Sequence, residues 1–466
     1  MKKRPTAKSA PSPAPSVTPA QALHCFHRLL ALVGIQPPAQ TYQRLWTPLI
    51  TLWYLIWQRL QTHGTLERVV ADARRGGADR LCARGQPLSK GLKSKASTAY
   101  SDARQRLPWE WVRQWFTQSA AALLALGRGP SPDLPTELLD GSTLRLRPHG
   151  DLAQHFPPHR TRRQRAYWCV ARVLVSFCAA TGLATAALIS AMQVSEQALA
   201  VQLILAATQP VLYLGDRNFG VWRVVRAAFQ GGGQALVRLT LVRARRLAGR
   251  KRLPAFLDQA VLWSPSAHDQ VDPGLRKEPV PGRLIVIQAH RRGHRPLTLY
   301  LFTTLTDAQV YPPQRLLDLY GKRWPVELNF RTIKATLHLD QSEAKSANMV
   351  RKEFYAGCIA YNLVRGLMAA AAQKAGCRPQ ELSFAKVLGL LTAVLTQLFL
   401  AESLETSCVD RLQWLLDEAV GARLPKRRKP RPNEPRAQYH EPQVFPTIKG
   451  SRQEAREALT KTPSKS

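Results

Sequence analysis

The chain has 466 residues, 45% of them hydrophobic, enough for two or three domains around a sizeable core. Its 67 Lys and Arg face only 31 Asp and Glu, giving a net charge of +36 and a pI near 10.8, so its expected partner is a polyanion, nucleic acid first and an anionic membrane surface second. The 7 cysteines are odd in number, widely spaced and without a C-x-x-C pair, which excludes a disulfide framework and a zinc ribbon and fits a reducing, cytoplasmic setting.

Residues 1–19 are Lys, Pro, Ser and Ala without an apolar run, which predicts a disordered basic arm rather than a signal peptide or a spanning helix. Residues 20–128 read as helical and basic. An apolar helix runs from Ala22 to Val33 and ends at Pro37-Pro38. The His24-Cys25-Phe26-His27 cluster on it lacks a second ligand pair, so it reads as a helix face and not a zinc site. Leu45 to Leu60 carries Trp46, Trp53, Tyr54 and Trp57 among leucines and forms core. Arg68 to Arg106 is rich in Arg, Lys, Gly and Ser, a composition suited to tracking phosphates. A helix from Trp109 to Leu126 follows, and the Gly/Pro-rich join Gly127 to Pro135 marks a boundary.

Beyond it the hydrophobic period changes. Glu137 to Arg147 reads as a strand carrying Asp140, then a turn, then an alternating strand. Tyr167 to Met192 is apolar, but its Ala, Ser, Thr and Gly content and the Thr181-Gly182 break favour two buried strands over a membrane span. Ser195 to Ala207 reads as a helix, and Pro210 to Gly215 as a short buried strand ending in Asp216. Strand, crossover helix and buried strand predict an α/β sheet with a parallel portion. Gly231-Gly232-Gly233 has no Gly-Lys-Ser/Thr after it and is a turn rather than a phosphate loop. Ala235 to Val242, Leu284 to Gln288 and Leu297 to Thr304 are strand-like, with a Pro/Arg-rich stretch containing Trp263 between the first two, which predicts a β-rich insertion over about 235–304. Apolar helices at Glu353 to Ala372, Phe384 to Leu400 and Cys408 to Val420 close a helical region, 346–420, and 421–466 is a basic, Pro-rich tail.

The stretch from Tyr320 to Lys334 is the most informative. On a helix at about 100° per residue, Tyr320, Arg323, Glu327, Arg331 and Lys334 share one stripe roughly 80° wide, beside an apolar stripe of Val326, Phe330, Ile333 and Leu337. Pro325 either kinks this helix or restarts it. A charged stripe is ordinarily a solvated face, but Asp140 and Asp216 stand in distinctive places upstream. Three carboxylates converging at a sheet edge would suit hard divalent cations, and two such ions can act on a phosphodiester. The neighbouring guanidinium, ammonium and phenol groups suit its phosphates.

The spacing Y-x-x-R-x-x-x-E-x-x-x-x-x-x-K, present as Tyr320, Arg323, Glu327 and Lys334, resembles the YREK signature of DDE transposases of bacterial insertion sequences. Asp140-Gly-Ser-Thr and Asp216-Arg-Asn-Phe resemble the contexts of that family's two catalytic aspartates, as do Leu305 to Tyr320 and Glu353 to Arg365 their surroundings. The likeness covers roughly residues 130 to 370. It implies an RNase H-like mixed sheet flanked by helices, a catalytic domain at 129–345 with a β-rich insertion, and a helical N-terminal DNA-binding region. It also implies Mg²⁺, with Mn²⁺ as a substitute, and cut-and-paste transposition at terminal inverted repeats, with hairpin ends in relatives bearing this signature. By the same resemblance Asp140, Asp216 and Glu327 hold the metal, Tyr320, Arg323 and Lys334 grip DNA phosphates, and a homodimer works on paired ends of double-stranded DNA in the bacterial nucleoid. Arg331 joins the phosphate stripe by position, and Trp263 and Trp324 are candidates for stacking on a base. An inactive DNA-holding derivative and a stand-alone RNase H-like nuclease are the alternatives. Intact carboxylates weigh against the first, the long basic N-terminal region against the second.

Overall fold

The computed structural model describes residues 35–38, 45–61, 63–82, 86–127, 134–160, 165–267, 269, 272–289, 297–323, 329, 332–333, 342–400, 406–425, 447–448, 450–451, 453–454 and 457. The expected N-terminal arm, the helix from Ala22 to Val33 and most of the basic tail lie outside them.

Among the described residues the main helices before the sheet are α1 (Pro48–Leu60), α2 (Leu66–Arg74), α3 (Thr98–Arg106) and α4 (Trp109–Gly127). The start of α1 is set by Thr47, whose hydroxyl accepts the Ile50 N–H at 3.3 Å, with Pro48 in the first turn. Trp53, Tyr54 and Ile56 of α1 are then buried.

The sheet begins with β1 (Thr136–Leu146), β2 (Arg165–Cys178) and β3 (Ala184–Ala191), which pair antiparallel in succession. Helix α5 (Glu196–Leu205) crosses over to β4 (Leu212–Gly215), and α6 (Trp222–Gln230) to β5 (Gln234–Arg238). Strand β4 runs parallel to both β1 and β5. The order β3-β2-β1-β4-β5 is RNase H-like, and the parallel portion read from the sequence is β1-β4-β5.

Two sequence expectations are corrected here. No turn interrupts β1: Asp140 pairs with Val175 and Gly141 with Leu174 in one unbroken ladder. The strand read over Ala235 to Val242 ends at Arg238 and is followed by a helix, α7 (Leu241–Ala248), while the strands of the expected insertion, β6 (Leu257–Trp263), β7 (Val280–Ala289) and β8 (Leu297–Thr303), extend the same sheet. Strand β8 joins the edge of β5 antiparallel, so the polar edge of the core sheet is satisfied by the insertion.

Alternation along the strands sorts the core into two layers. Leu138, Val175, Leu214 and Leu236 face one side, where α8 (Pro313–Gly321), α9 (Ala347–Lys374) and the N-terminal helices share a core with them. Leu139, Leu174, Tyr213 and Val237 face α5 and α6 on the other. Helix α9 joins the parts. Its Asn362 side chain pairs with both backbone groups of Ala184 at 2.8 Å each, and the Tyr361 hydroxyl donates to the Gly182 carbonyl at 2.7 Å. Nearer its start, Lys352 Nζ donates to the Arg104 and Gln105 carbonyls at 2.7 and 3.0 Å, closing the end of α3. Helices α10 (Phe384–Leu400) and α11 (Thr406–Gly421) pack on α9 as the apolar helices expected after residue 346. Among the described residues no helix is long and apolar enough to cross a membrane.

Candidate active site

The parallel pairing of β1 with β4 places Leu138 opposite Leu214. Asp140, in the middle of β1, and Asp216, just past the end of β4, each lie two residues further along, so the ladder carries both carboxylates towards the same level of the sheet. Each is half-buried. Asp140 Oδ1 accepts the Gly141 N–H at 3.1 Å. Asp216 starts a tight turn in which its Oδ1 accepts the Asn218 N–H at 2.8 Å and its carbonyl accepts the Gly220 N–H at 3.0 Å.

The electrostatics are those of crowded like charges. Burial pushes the Asp140 carboxyl up to about 7, with Asp216 and Glu196 adding to the rise while Arg323 and the Gly141 N–H oppose it. Glu196, at the start of α5, is raised by burial and by Asp216, against Arg172 and Asn218. Sequence reasoning missed this third acid. Its signal was the scarcity of carboxylates in so basic a chain, together with its place at the first turn of the crossover helix.

Helix α8 delivers the basic side. Tyr320 is buried, and the Arg323 guanidinium sits 5.9 Å over its ring. Burial raises the Tyr320 hydroxyl, while Arg323 and Arg238 pull it back. Arg238, at the end of β5, is lowered by its own burial and by Arg217 and Arg323, so three guanidiniums gather beside the aspartates.

The continuous stripe expected from Tyr320 to Lys334 is not how this region is built. Helix α8 stops at Gly321, four residues before Pro325, where a proline ring would meet the carbonyl of a continuing helix. The Lys322 and Arg323 N–H groups instead close short turns onto the Leu319 and Tyr320 carbonyls, at 3.1 and 3.0 Å. Trp324, Glu327, Arg331 and Lys334 lie outside the described residues. Between them Asn329 is helical and buried, and Thr332-Ile333 are π-helical with Ile333 in the core as its stripe predicted. Asn329 is anchored: Arg365 Nη2 of α9 donates to its Oδ1 at 2.5 Å, and Arg365 Nε donates to the Tyr361 hydroxyl at 2.9 Å. Gly182 gives that guanidinium room, since a Cβ there would lie 3.1 Å from it and the backbone holds φ +76°.

Trp263 does not stand ready to stack on a base. It is buried at the end of β6, its ring edge-on to Phe302 with centroids 4.7 Å apart, because alternation along β6 turns it toward the core and leaves Leu262 exposed.

Among the described residues no group of three His, Cys, Asp or Glu side chains is arranged to hold a metal ion. Asp140 and Asp216 supply hard oxygen donors, and the rise at Asp140 is the strain that a nearby cation relieves. The pair therefore fits a divalent ion that takes further ligands from elsewhere.

A family model described as a transposase DDE domain matches residues 133–363. Transposase InsG for insertion sequence element IS4 of Escherichia coli (strain K12) is 30% identical over 312 residues, which span 65% of this chain and 68% of that protein. Among solved structures, piggyBac transposase in a synaptic complex with hairpin DNA aligns over 83% of this chain and 80% of its own, at 11% identity and a TM-score of 0.38.

Proposed function

The chain belongs to the DDE transposases of the IS4 type, and from that premise we propose that it moves its insertion sequence by cut-and-paste, with Asp140, Asp216 and Glu327 as the metal-holding carboxylates. As a transposase it is an enzyme of DNA cleavage and strand transfer. The observation that carries the finer reading is the pair of aspartates two residues beyond the paired Leu138 and Leu214 of parallel β1 and β4, with Asp140 in the fields of both Asp216 and Arg323.

Mg²⁺, or Mn²⁺ in its place, would be held by these carboxylates and, when bound, would activate the attacking oxygen and neutralise the leaving one at the phosphodiester. The protein's own part is placement. The β1–β4 ladder fixes the two aspartates, and the Arg365–Asn329 bond ties down a residue two positions from Glu327. Arg323, with Lys334 and Arg331 from the same stretch, grips the phosphates flanking the cut, and the buried Tyr320 beneath it holds its guanidinium in place. Water breaks the bond at the element's end, its oxygen joining phosphorus as the 3′ oxygen leaves with a proton. That 3′-hydroxyl then attacks a phosphodiester of target DNA, its oxygen joining phosphorus and losing its proton as the target's own 3′ oxygen leaves and takes one up. The basic N-terminal helices bind the terminal inverted repeats, and a homodimer pairs two ends.

The test is cleavage of DNA carrying the element's ends, in Mg²⁺, by the parent protein and by Asp140→Ala, Asp216→Ala and Glu327→Ala. Each variant should lose cleavage and keep end binding. A variant that cuts as well as the parent removes that residue from the site.

A further inference from the structure

Glu196 is the first residue of α5, following Ser195, whose hydroxyl accepts the Ala198 N–H at 3.1 Å. An acid in a first turn is favoured by the helix dipole alone. Its contacts exceed that role. Asn218 Nδ2 donates to Glu196 Oε2 at 2.6 Å, and Arg172 Nη1 of β2 stands 3.7 Å from Oε1 on the other side. Asn218 is also the residue whose backbone N–H holds Asp216, and Gln197 Nε2 steadies it by donating to its carbonyl at 2.9 Å. The Glu196 side chain meanwhile fills the space over Gly141, where a Cβ would stand 2.5 Å from its carboxyl carbon. A chain of contacts thus runs from Arg172 through Glu196 and Asn218 to Asp216, with the residue beside Asp140 pressed against its middle.

We propose that Glu196 is a positioning residue for the catalytic aspartates, fixing the Asp216 turn through Asn218 and setting the spacing between that turn and the Asp140 strand through its contact on Gly141. This rests on the assignment of Asp140 and Asp216 as catalytic. The need is physical: two neighbouring carboxylates repel, and the turn carrying Asp216 is otherwise open, with Arg217 and Asn218 exposed. Gly141 follows from the same contact, since Glu196 cannot keep its place above a side chain.

The experiment compares the full-length parent with Glu196→Ala, Glu196→Gln, Gly141→Ala and the Gly141→Ala/Glu196→Ala double variant, reading kcat and KM on end DNA, Mn²⁺ binding by electron paramagnetic resonance, and melting. Glu196→Ala should lose about 10- to 100-fold in kcat or Mn²⁺ affinity, with KM for DNA and melting close to the parent's. Glu196→Gln should stay within about threefold of the parent, because its amide oxygen still accepts from Asn218 and still covers Gly141. Gly141→Ala should be impaired alone and should add nothing to Glu196→Ala, as expected of two changes sharing one contact. Parental kcat and Mn²⁺ affinity in Glu196→Ala, equal losses in Ala and Gln, or additive losses in the double variant would each overturn the role. A parent that neither binds Mn²⁺ nor cuts, alongside an equally inert Asp140→Ala control, would instead bring down the catalytic assignment beneath it.

Discussion

Replacing Asp140 by Asn should abolish cleavage and at the same time stabilise the metal-free protein. Asp140 is pushed from 3.8 to about 7 by burial and by the neighbouring carboxylates. The sign follows from proton counting. Between those two values the folded chain binds more protons than the unfolded one, so stability falls as pH rises through the window and the full penalty stands above pH 7. Holding the ionised group in place costs up to roughly 4 kcal/mol, a ceiling reduced by the water that reaches a half-buried side chain. Asparagine removes the charge and keeps the oxygen that accepts the Gly141 N–H. A gain of about 2 kcal/mol, half the ceiling, would raise the melting temperature by roughly 2–4 °C. The assay is thermal melting of both proteins in EDTA at pH 8 and pH 5. The gap should be largest at pH 8 and clearly smaller at pH 5, because it closes fully only below the unfolded value of 3.8. Adding Mg²⁺ at pH 8 should narrow it by stabilising the parent alone. A variant that melts at or below the parent at pH 8 in EDTA would refute the reasoning.

Glu353→Gln strips two half-buried guanidiniums of their shared, buried carboxylate, Arg104 at 2.7 Å and Arg59 at 3.9 Å, and should cost about 3 kcal/mol in a denaturant titration. Although burial alone would raise the Glu353 carboxyl, Arg59 and Arg104 hold it below 4.5, so the parent loses this stabilisation as pH falls below that value and the Gln variant shows no such loss. Arg323→Ala should weaken binding to element ends roughly tenfold and lower the slope of log affinity against log salt by about one, as a lost phosphate contact does. Unchanged binding and slope would remove Arg323 from the DNA grip.

The sequence yielded most where the physics is local. The buried strands on either side of Thr181-Gly182, the crossover helix after Ser195 and the short strand ending in Asp216 were all legible from composition and period. What failed depended on partners far away in the chain. Gly141 reads as a turn residue, yet it is small because Glu196 packs against it across the sheet. The β-rich insertion over about 235–304 was legible as strands, but nothing local says that β8 will pair with β5. Trp263 reads as an isolated aromatic until β6 exists to give it a face. The stripe from Tyr320 left open whether the helix kinks or restarts, and its first segment ends at Gly321. Asp140 and Asp216 were found from context, but Glu196, Arg238 and Asn218 come to them only through the fold.

The most direct measurement is incubation of the purified protein with a plasmid carrying the flanking inverted repeats, with Mg²⁺ or with EDTA, followed by mapping of the cut 3′ ends. Mg²⁺-dependent cuts at the repeat ends, absent in Asp216→Ala, are the predicted result. Cutting that ignores the repeats, or that persists in EDTA or in Asp216→Ala, would contradict the account.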